Sequence, residues 1–161
     1  MVLFLLWFTV SPGFRQFALS LNMRTLTIVQ SWRIAGFLFL ALYLYKVLPG
    51  LFALPAGSGD ILVGATAIPV AIKMTNPDHR KGFIRWQVLG ILDLVMAVTL
   101  ATIARLQGMD MGAMTVLPLS LVPSFIVPLL MILHIICIAQ ARQGHERKYS
   151  HVKEKLASSE A

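Results

Sequence analysis

Long apolar runs, separated by short stretches of polar and turn-forming residues, dominate the sequence. Crossing the hydrocarbon core of a bilayer as a helix takes about 20 apolar residues. The pattern predicts helices at Thr27–Leu48, Trp86–Ala104 and Leu117–Gln140, with a shorter one at Asp60–Lys73. The predicted fold is therefore an all-α transmembrane helical bundle with four spanning or near-spanning helices.

The segment before the predicted helix at Asp60–Lys73 is apolar but rich in the helix-breaking residues proline and glycine. Pro49–Gly59 contains two prolines and several glycines, which predicts irregular backbone that dips into the outer leaflet. The helix is then expected to start at Asp60, below the membrane surface. Ser58 and Asp60 have two interpretations. They cap the start of that helix, or they form an outer entrance to a path through the bundle.

Both ends of the chain differ from the spans. Met1–Val10 is apolar but short, and it lacks the basic region and cleavage site of a signal peptide. We expect a truncated or interfacial N-terminal helix there. From Ala141 the sequence becomes polar and basic, which indicates a surface helix near anionic lipid or a disordered tail. The predicted organisation is a transmembrane bundle over residues 1–140 and a basic cytoplasmic tail over 141–161.

Charge supports a membrane location and gives it a direction. Only 13% of the residues are charged, whereas soluble domains carry about 25%. Of the 14 lysines and arginines, all but Lys46 and Arg105 fall on one side if the loop at 73–85 is inside. The positive-inside rule then predicts a cytoplasmic C-terminus. The net charge of +7 indicates anionic lipid at the cytoplasmic face as a partner, and not nucleic acid.

Three ionisable residues interrupt the apolar runs. Arg33, Asp93 and His134 lie in different predicted spans, each about 12–14 Å along its helix from the nearest cytoplasmic basic residue. Because buried charges in membranes face the interior and pair, we expect these three side chains to form one layer. That layer is either a proton or ion relay, or a structural Arg33–Asp93 pair with a hydrogen-bonded His134. Gln30 and Gln87 extend it toward the cytoplasm.

The sequence predicts no metal and no cofactor. His79, His145 and His151 lack metal-ligand spacing, and His134 is the one histidine embedded in a predicted span, so haem is disfavoured. Cys137 is the single cysteine. No nucleophile elbow, Walker loop or HExxH motif occurs, so an enzyme is the least favoured class.

Several stretches of the chain resemble a known group of proteins. These are WRIAGFLFL, LPGLFALPAGSGDILVGATA, GILDLVMAV and LVPSFIVPLLMILH, of which FALPAGSGD is the most specific. They resemble an uncharacterised family of small bacterial multi-pass inner-membrane proteins with no assigned activity. The resemblance implies a multi-pass protein of the bacterial cytoplasmic membrane and brings no catalytic residues.

Two functional classes remain after these exclusions. The first is a small proton- or ion-linked transporter unit that uses the layer of Arg33, Asp93 and His134 and the entrance at Asp60. The second is a non-catalytic membrane scaffold or accessory subunit, which would work as a homo-oligomer or in a larger membrane complex. In the second class the buried polar groups fix the register of the helices.

Overall fold

The computed structural model describes residues 7–73 and 79–159 of the chain, with side chains in 7–73 and 79–143. Within that part the fold is all-α, which confirms the predicted class. Six α-helices follow one another as α1 (Pro12–Ser20), α2 (Met23–Val29), α3 (Phe37–Leu44), α4 (Gly50–Lys73), α5 (Arg80–Leu106) and α6 (Val127–Ser159). Short helical turns join some of them, at Gln30–Gly36, Gly112–Thr115 and Val122–Ile126.

Within residues 7–73 and 79–159, four helical stretches are long and apolar enough to cross a membrane. We call them the first span (Met23–Leu44), the second span (Gly50–Lys73), the third span (Arg80–Leu106) and the fourth span (Val122–Gln143). Each measures about 33–40 Å at 1.5 Å per residue, which exceeds a hydrocarbon core of roughly 30 Å. Large apolar side chains on their outer faces are exposed, as expected where lipid is the solvent.

The four spans pack as a ring in chain order, and the fourth span closes against the first. Two apolar clusters fill the ends of the bundle. One contains Leu26, Val70 and Phe83, and the other contains Phe39, Phe52 and Ala104. Along each of the first three spans, the ionisable residue lies between the residues that contribute to these clusters. The buried charges are therefore held between two apolar layers.

The second span contradicts the prediction for its first half. It is one continuous helix from Gly50, so the irregular segment expected at Pro49–Gly59 is wrong, and Pro55 lies inside the helix. Proline is tolerated in membrane helices because neighbouring helices and hydroxyl side chains compensate the freed backbone groups. The glycines allow close packing and do not form a turn. A methyl group at Gly57 would lie 2.9 Å from the Gly36 carbonyl oxygen. Because neither residue has a side chain, the first and second spans can approach each other closely here.

The first span contains a feature that hydropathy did not predict. Its middle, Gln30–Gly36, is wound as a 3-10 helix, with three residues per turn. The repeat of three places Gln30, Arg33 and Gly36 on one face, and all three are buried. This winding aims Arg33 into the bundle.

The remaining boundaries shift by a few residues. The third span begins at Arg80 and not at Trp86, because the helix continues through basic residues that hydropathy excludes. The fourth span starts at Val122 and not at Leu117. In the tail, α6 continues to Ser159, and the domain division at residue 140 stays a prediction.

The N-terminal prediction is tested only in part. Residues 7–10 are helical and α1 follows after Ser11, whose hydroxyl accepts a hydrogen bond from the Phe14 amide. The predicted N-terminal helix begins at residue 1, and residues 1–6 lie outside the described part.

Candidate functional site

Arg33 is the centre of a buried polar cluster. Its side chain is fully enclosed, and its guanidinium contacts all three other spans. Nε donates to Asp60 Oδ1 at 2.7 Å in the second span, and Nη1 donates to the Gly90 carbonyl at 3.2 Å in the third. Nη2 forms an ion pair with Asp93, and Nη1 lies 3.4 Å from His134 Nε2 in the fourth span. We call Arg33, Asp60, Asp93 and His134 the Arg33 cluster.

The cluster contains one permanent cation and two carboxyl groups. Arg33 keeps its charge in any protein environment, so it balances one carboxylate and leaves the second uncompensated. The two acids are also the only members with exposed surface. The Asp60 side chain is 18% exposed and that of Asp93 10%, whereas Arg33 and His134 are enclosed. The excess carboxyl group therefore lies at the edge of the cluster and not at its centre.

The hydrogen bonds of His134 define its tautomer. A guanidinium can only donate, so Nε2 is the acceptor toward Arg33. Nδ1 then carries the proton and donates to the side-chain carbonyl of Gln87. The imidazole in this arrangement is neutral. The Trp86 ring packs beside it, with the centroids 5.8 Å apart.

Gln87 extends the cluster toward the predicted cytoplasmic side. Its amide nitrogen lies 3.4 Å from the Thr27 hydroxyl, which itself donates to the Met23 carbonyl at 2.9 Å. A continuous series of polar contacts thus joins Met23 in the first span to the two carboxylates. Gln30 takes no part in it, since its amide donates to the Leu130 carbonyl at 3.2 Å.

Two glycines provide the space that the polar side chains occupy. A methyl group at Gly59 would overlap the Asp93 carboxylate, and one at Gly90 would overlap the His134 ring. The Gly90 carbonyl is also an acceptor for Arg33. Glycine is therefore required at both positions because the charged and polar side chains pack against bare backbone.

The structure brings Arg33, Asp93 and His134 into contact, as the depth argument predicts, and it adds Asp60. The cap interpretation of Ser58 and Asp60 is wrong, because the helix begins at Gly50 and both residues lie inside it. The Ser58 hydroxyl donates to the carbonyls of Leu54 and Pro55. Sequence reasoning places Asp60 at a separate outer site because it expects a helix to start there, after an irregular Pro49–Gly59. In the continuous helix, the Asp60 carboxylate instead lies within hydrogen-bond distance of Arg33.

The donor set does not resemble a metal or haem site. Among the described residues, no group of three or more His, Cys, Asp or Glu could hold a metal ion. Both ring nitrogens of His134 already have partners, which leaves no nitrogen free to bind a metal. His145 and His151 lie outside the described side chains.

Comparison with known proteins gives one match. A family model described as a domain of unknown function (DUF8737) matches residues 1–142, which include the whole Arg33 cluster. No curated protein and no solved structure matches the chain.

Proposed function

The chain belongs to the family of this domain of unknown function (DUF8737), and we propose that it is a small proton-linked transporter unit in which the Arg33 cluster exchanges one proton. The observation that carries the proposal is the ratio of two carboxyl groups to one guanidinium. With both acids ionised the cluster has a charge of −1, and with one protonated it is neutral. Because net charge at membrane depth is costly, one proton completes the buried set.

The surroundings of the two acids support this assignment. Both acids pair with Arg33 of the first span, and His134 of the fourth span contacts the same guanidinium. His134 is neutral in its hydrogen-bonded arrangement, so it does not balance the second carboxylate. Asp60 and Asp93 are the members of the cluster with exposed surface, so we infer that the proton is exchanged at these carboxyl groups and not at the enclosed guanidinium.

Infrared pH titration of the purified full chain tests the proton site. We expect a protonated-carboxyl C=O band in the native protein near neutral pH, where exposed carboxyl groups are ionised. Asp60→Asn and Asp93→Asn should each remove it completely, because either change leaves one carboxylate balanced by Arg33. Asp110→Asn is the matched control, since Asp110 is an exposed loop residue away from the cluster. A band that persists in both cluster variants contradicts the proposal.

Transport is tested separately from proton binding. In proteoliposomes, the native chain should carry protons under an imposed membrane potential, and Asp93→Asn should reduce the flux to that of empty vesicles. Asp110→Asn should retain it. If the infrared C=O band titrates but none of these vesicles carries protons, the result favours the second functional class, a membrane scaffold or accessory subunit.

That second class is a membrane scaffold or accessory subunit. One observation favours it, because Arg33 contacts Asp60 in the second span, Gly90 and Asp93 in the third and His134 in the fourth, and so fixes the register of the whole bundle. Purification in mild detergent followed by mass measurement separates the classes, since a partner chain that co-purifies favours the accessory role.

The four candidate spans place the protein in a membrane as a multi-pass chain, and we further propose the bacterial cytoplasmic membrane with the C-terminus inside. The basic residues support this orientation. A green fluorescent protein fused after Ala161 should be fluorescent, and alkaline phosphatase inserted after Gly108 should be active. A phosphatase insertion at Lys46, on the same predicted outer side, is the control. Activity of a phosphatase fused after Ala161 contradicts the orientation.

A further inference from the structure

Two cavities lie side by side near α1, away from the Arg33 cluster. The larger, of about 960 Å³, is lined by Arg15, Gln16, Ser20 and Gln143 among others. The smaller, of about 350 Å³, is lined by Phe8, Ile135, Ile138 and Arg142 among others. Arg15 and Gln143 line both, so the two cavities form one continuous surface, which we call the Arg15 groove.

The groove combines charged and polar side chains with apolar ones in both cavities. In the larger cavity, arginine, glutamine and serine side chains lie beside apolar residues such as Leu19 and Met23, and Gln140 adds a buried side-chain oxygen that has no hydrogen-bond partner among the described residues. The amide nitrogen of Gln140 donates to the carbonyls of Ala18, Leu19 and Leu21, which holds the end of α1 in place. The smaller cavity continues along the apolar side of the fourth span.

Charge in the groove has one sign. Arg15 and Arg142 both line it, both are exposed, and no Asp or Glu is among its described lining residues. Arg142 lies two turns beyond His134, about 12 Å along the helix, so the arginines stand where the predicted cytoplasmic headgroups begin. A ligand that fits must carry an anionic polar part and an apolar part in continuity.

We propose that the Arg15 groove binds one anionic phospholipid of the cytoplasmic leaflet. The phosphate lies between Arg15 and Arg142, the glycerol and headgroup face Gln16, Ser20 and Gln143, and one acyl chain follows Phe8, Ile135 and Ile138. A free phosphate would contact the arginines but leave the apolar lining residues without a partner. The proposal does not depend on proton exchange in the Arg33 cluster.

Native mass spectrometry of the full chain in detergent tests the site with dioleoylphosphatidylglycerol, and with dioleoylphosphatidylcholine as the zwitterionic lipid of identical chains. We expect one phosphatidylglycerol per chain to bind saturably and more tightly than phosphatidylcholine. Arg15→Gln and Arg142→Gln should each weaken binding about fivefold, and the double variant about 25-fold, since a basic residue near a membrane surface contributes about 1 kcal/mol. Arg15→Lys should retain binding.

The matched control is Arg105→Gln, an exposed arginine at the opposite end of the third span, which should bind phosphatidylglycerol as the native chain does. Because Arg15 and Arg142 are exposed, their variants should fold, and an unchanged elution volume in size exclusion checks this. Equal binding of the two lipids overturns the proposal, and so does an equal loss in Arg105→Gln. Displacement of the lipid by glycerol phosphate at equal concentration also overturns it, because the acyl chain would then add nothing.

Discussion

Replacing Arg33 with methionine is expected to lower the free energy of unfolding by about 3–5 kcal/mol, measured by detergent-induced unfolding followed by circular dichroism. The substitution removes the one cation of the cluster and leaves two carboxyl groups without a partner at membrane depth. It also leaves the Gly90 carbonyl and His134 Nε2 without their donor. This is the largest effect that the structure predicts for a single side chain.

Part of the lost free energy of unfolding should be recovered when Asp60 and Asp93 are made neutral. The triple variant Arg33→Met, Asp60→Asn, Asp93→Asn should be more stable than Arg33→Met alone, because no buried charge is left unbalanced. Arg105→Met is the control for removing an arginine, and we expect little change from it because the residue is exposed. If Asp93→Asn costs the same with and without Arg33, the two residues do not interact and the cluster geometry is incorrect.

Replacing Gly64 with valine should destabilise the bundle by about 3 kcal/mol, at the upper end of what overpacking costs. A Cβ atom there would lie 2.9 Å from the Arg33 carbonyl carbon and closer still to the Ile34 amide nitrogen. Both neighbours are backbone, so the first and second spans must separate and the Arg33 contacts with Asp60 must lengthen. Unfolding in detergent measures the cost, and infrared titration reports the change at the carboxyl groups.

The control for this prediction is the next residue in the same helix. Ala65 is exposed at the same depth, and Ala65→Val adds similar volume without meeting the first span. We expect its stability to match that of the native chain within about 0.5 kcal/mol. Equal losses in the two variants would mean that helix propensity, and not the contact between spans, determines the effect.

Hydropathy and charge predicted most of the bundle but not its closest contacts. The number of spans follows from apolar length, and the meeting of Arg33, Asp93 and His134 follows from their equal distance to the cytoplasmic charges. The prediction for the first half of the second span is wrong because it treats glycine and proline as helix breakers. In lipid a helix tolerates both, and Gly57 and Gly64 are better explained by the close approach of the first span.

The position of Asp60 shows how one wrong helix boundary affects a predicted site. Because the sequence predicts a helix start at Asp60, it assigns this residue to a separate outer site. Sequence patterns also give neither the reach of the arginine side chain nor the 3-10 turn that directs it toward Asp60. The sequence likewise does not predict that Gly59 and Gly90 belong to the site. A glycine that makes room for a carboxylate or an imidazole has the same sequence pattern as one that packs against another helix.

The 3-10 turn at Gln30–Gly36 also couples the cluster to the length of the first span. Its seven residues extend about 14 Å at 2.0 Å per residue, whereas an α-helix of the same residues would extend about 10.5 Å. Rewinding this turn to α-helix would therefore shorten the first span by roughly 3–4 Å and rotate Arg33 away from the shared face. The contact of Arg33 with its two acids and the height of Phe37–Leu44 along the membrane normal therefore both depend on the winding of this one turn.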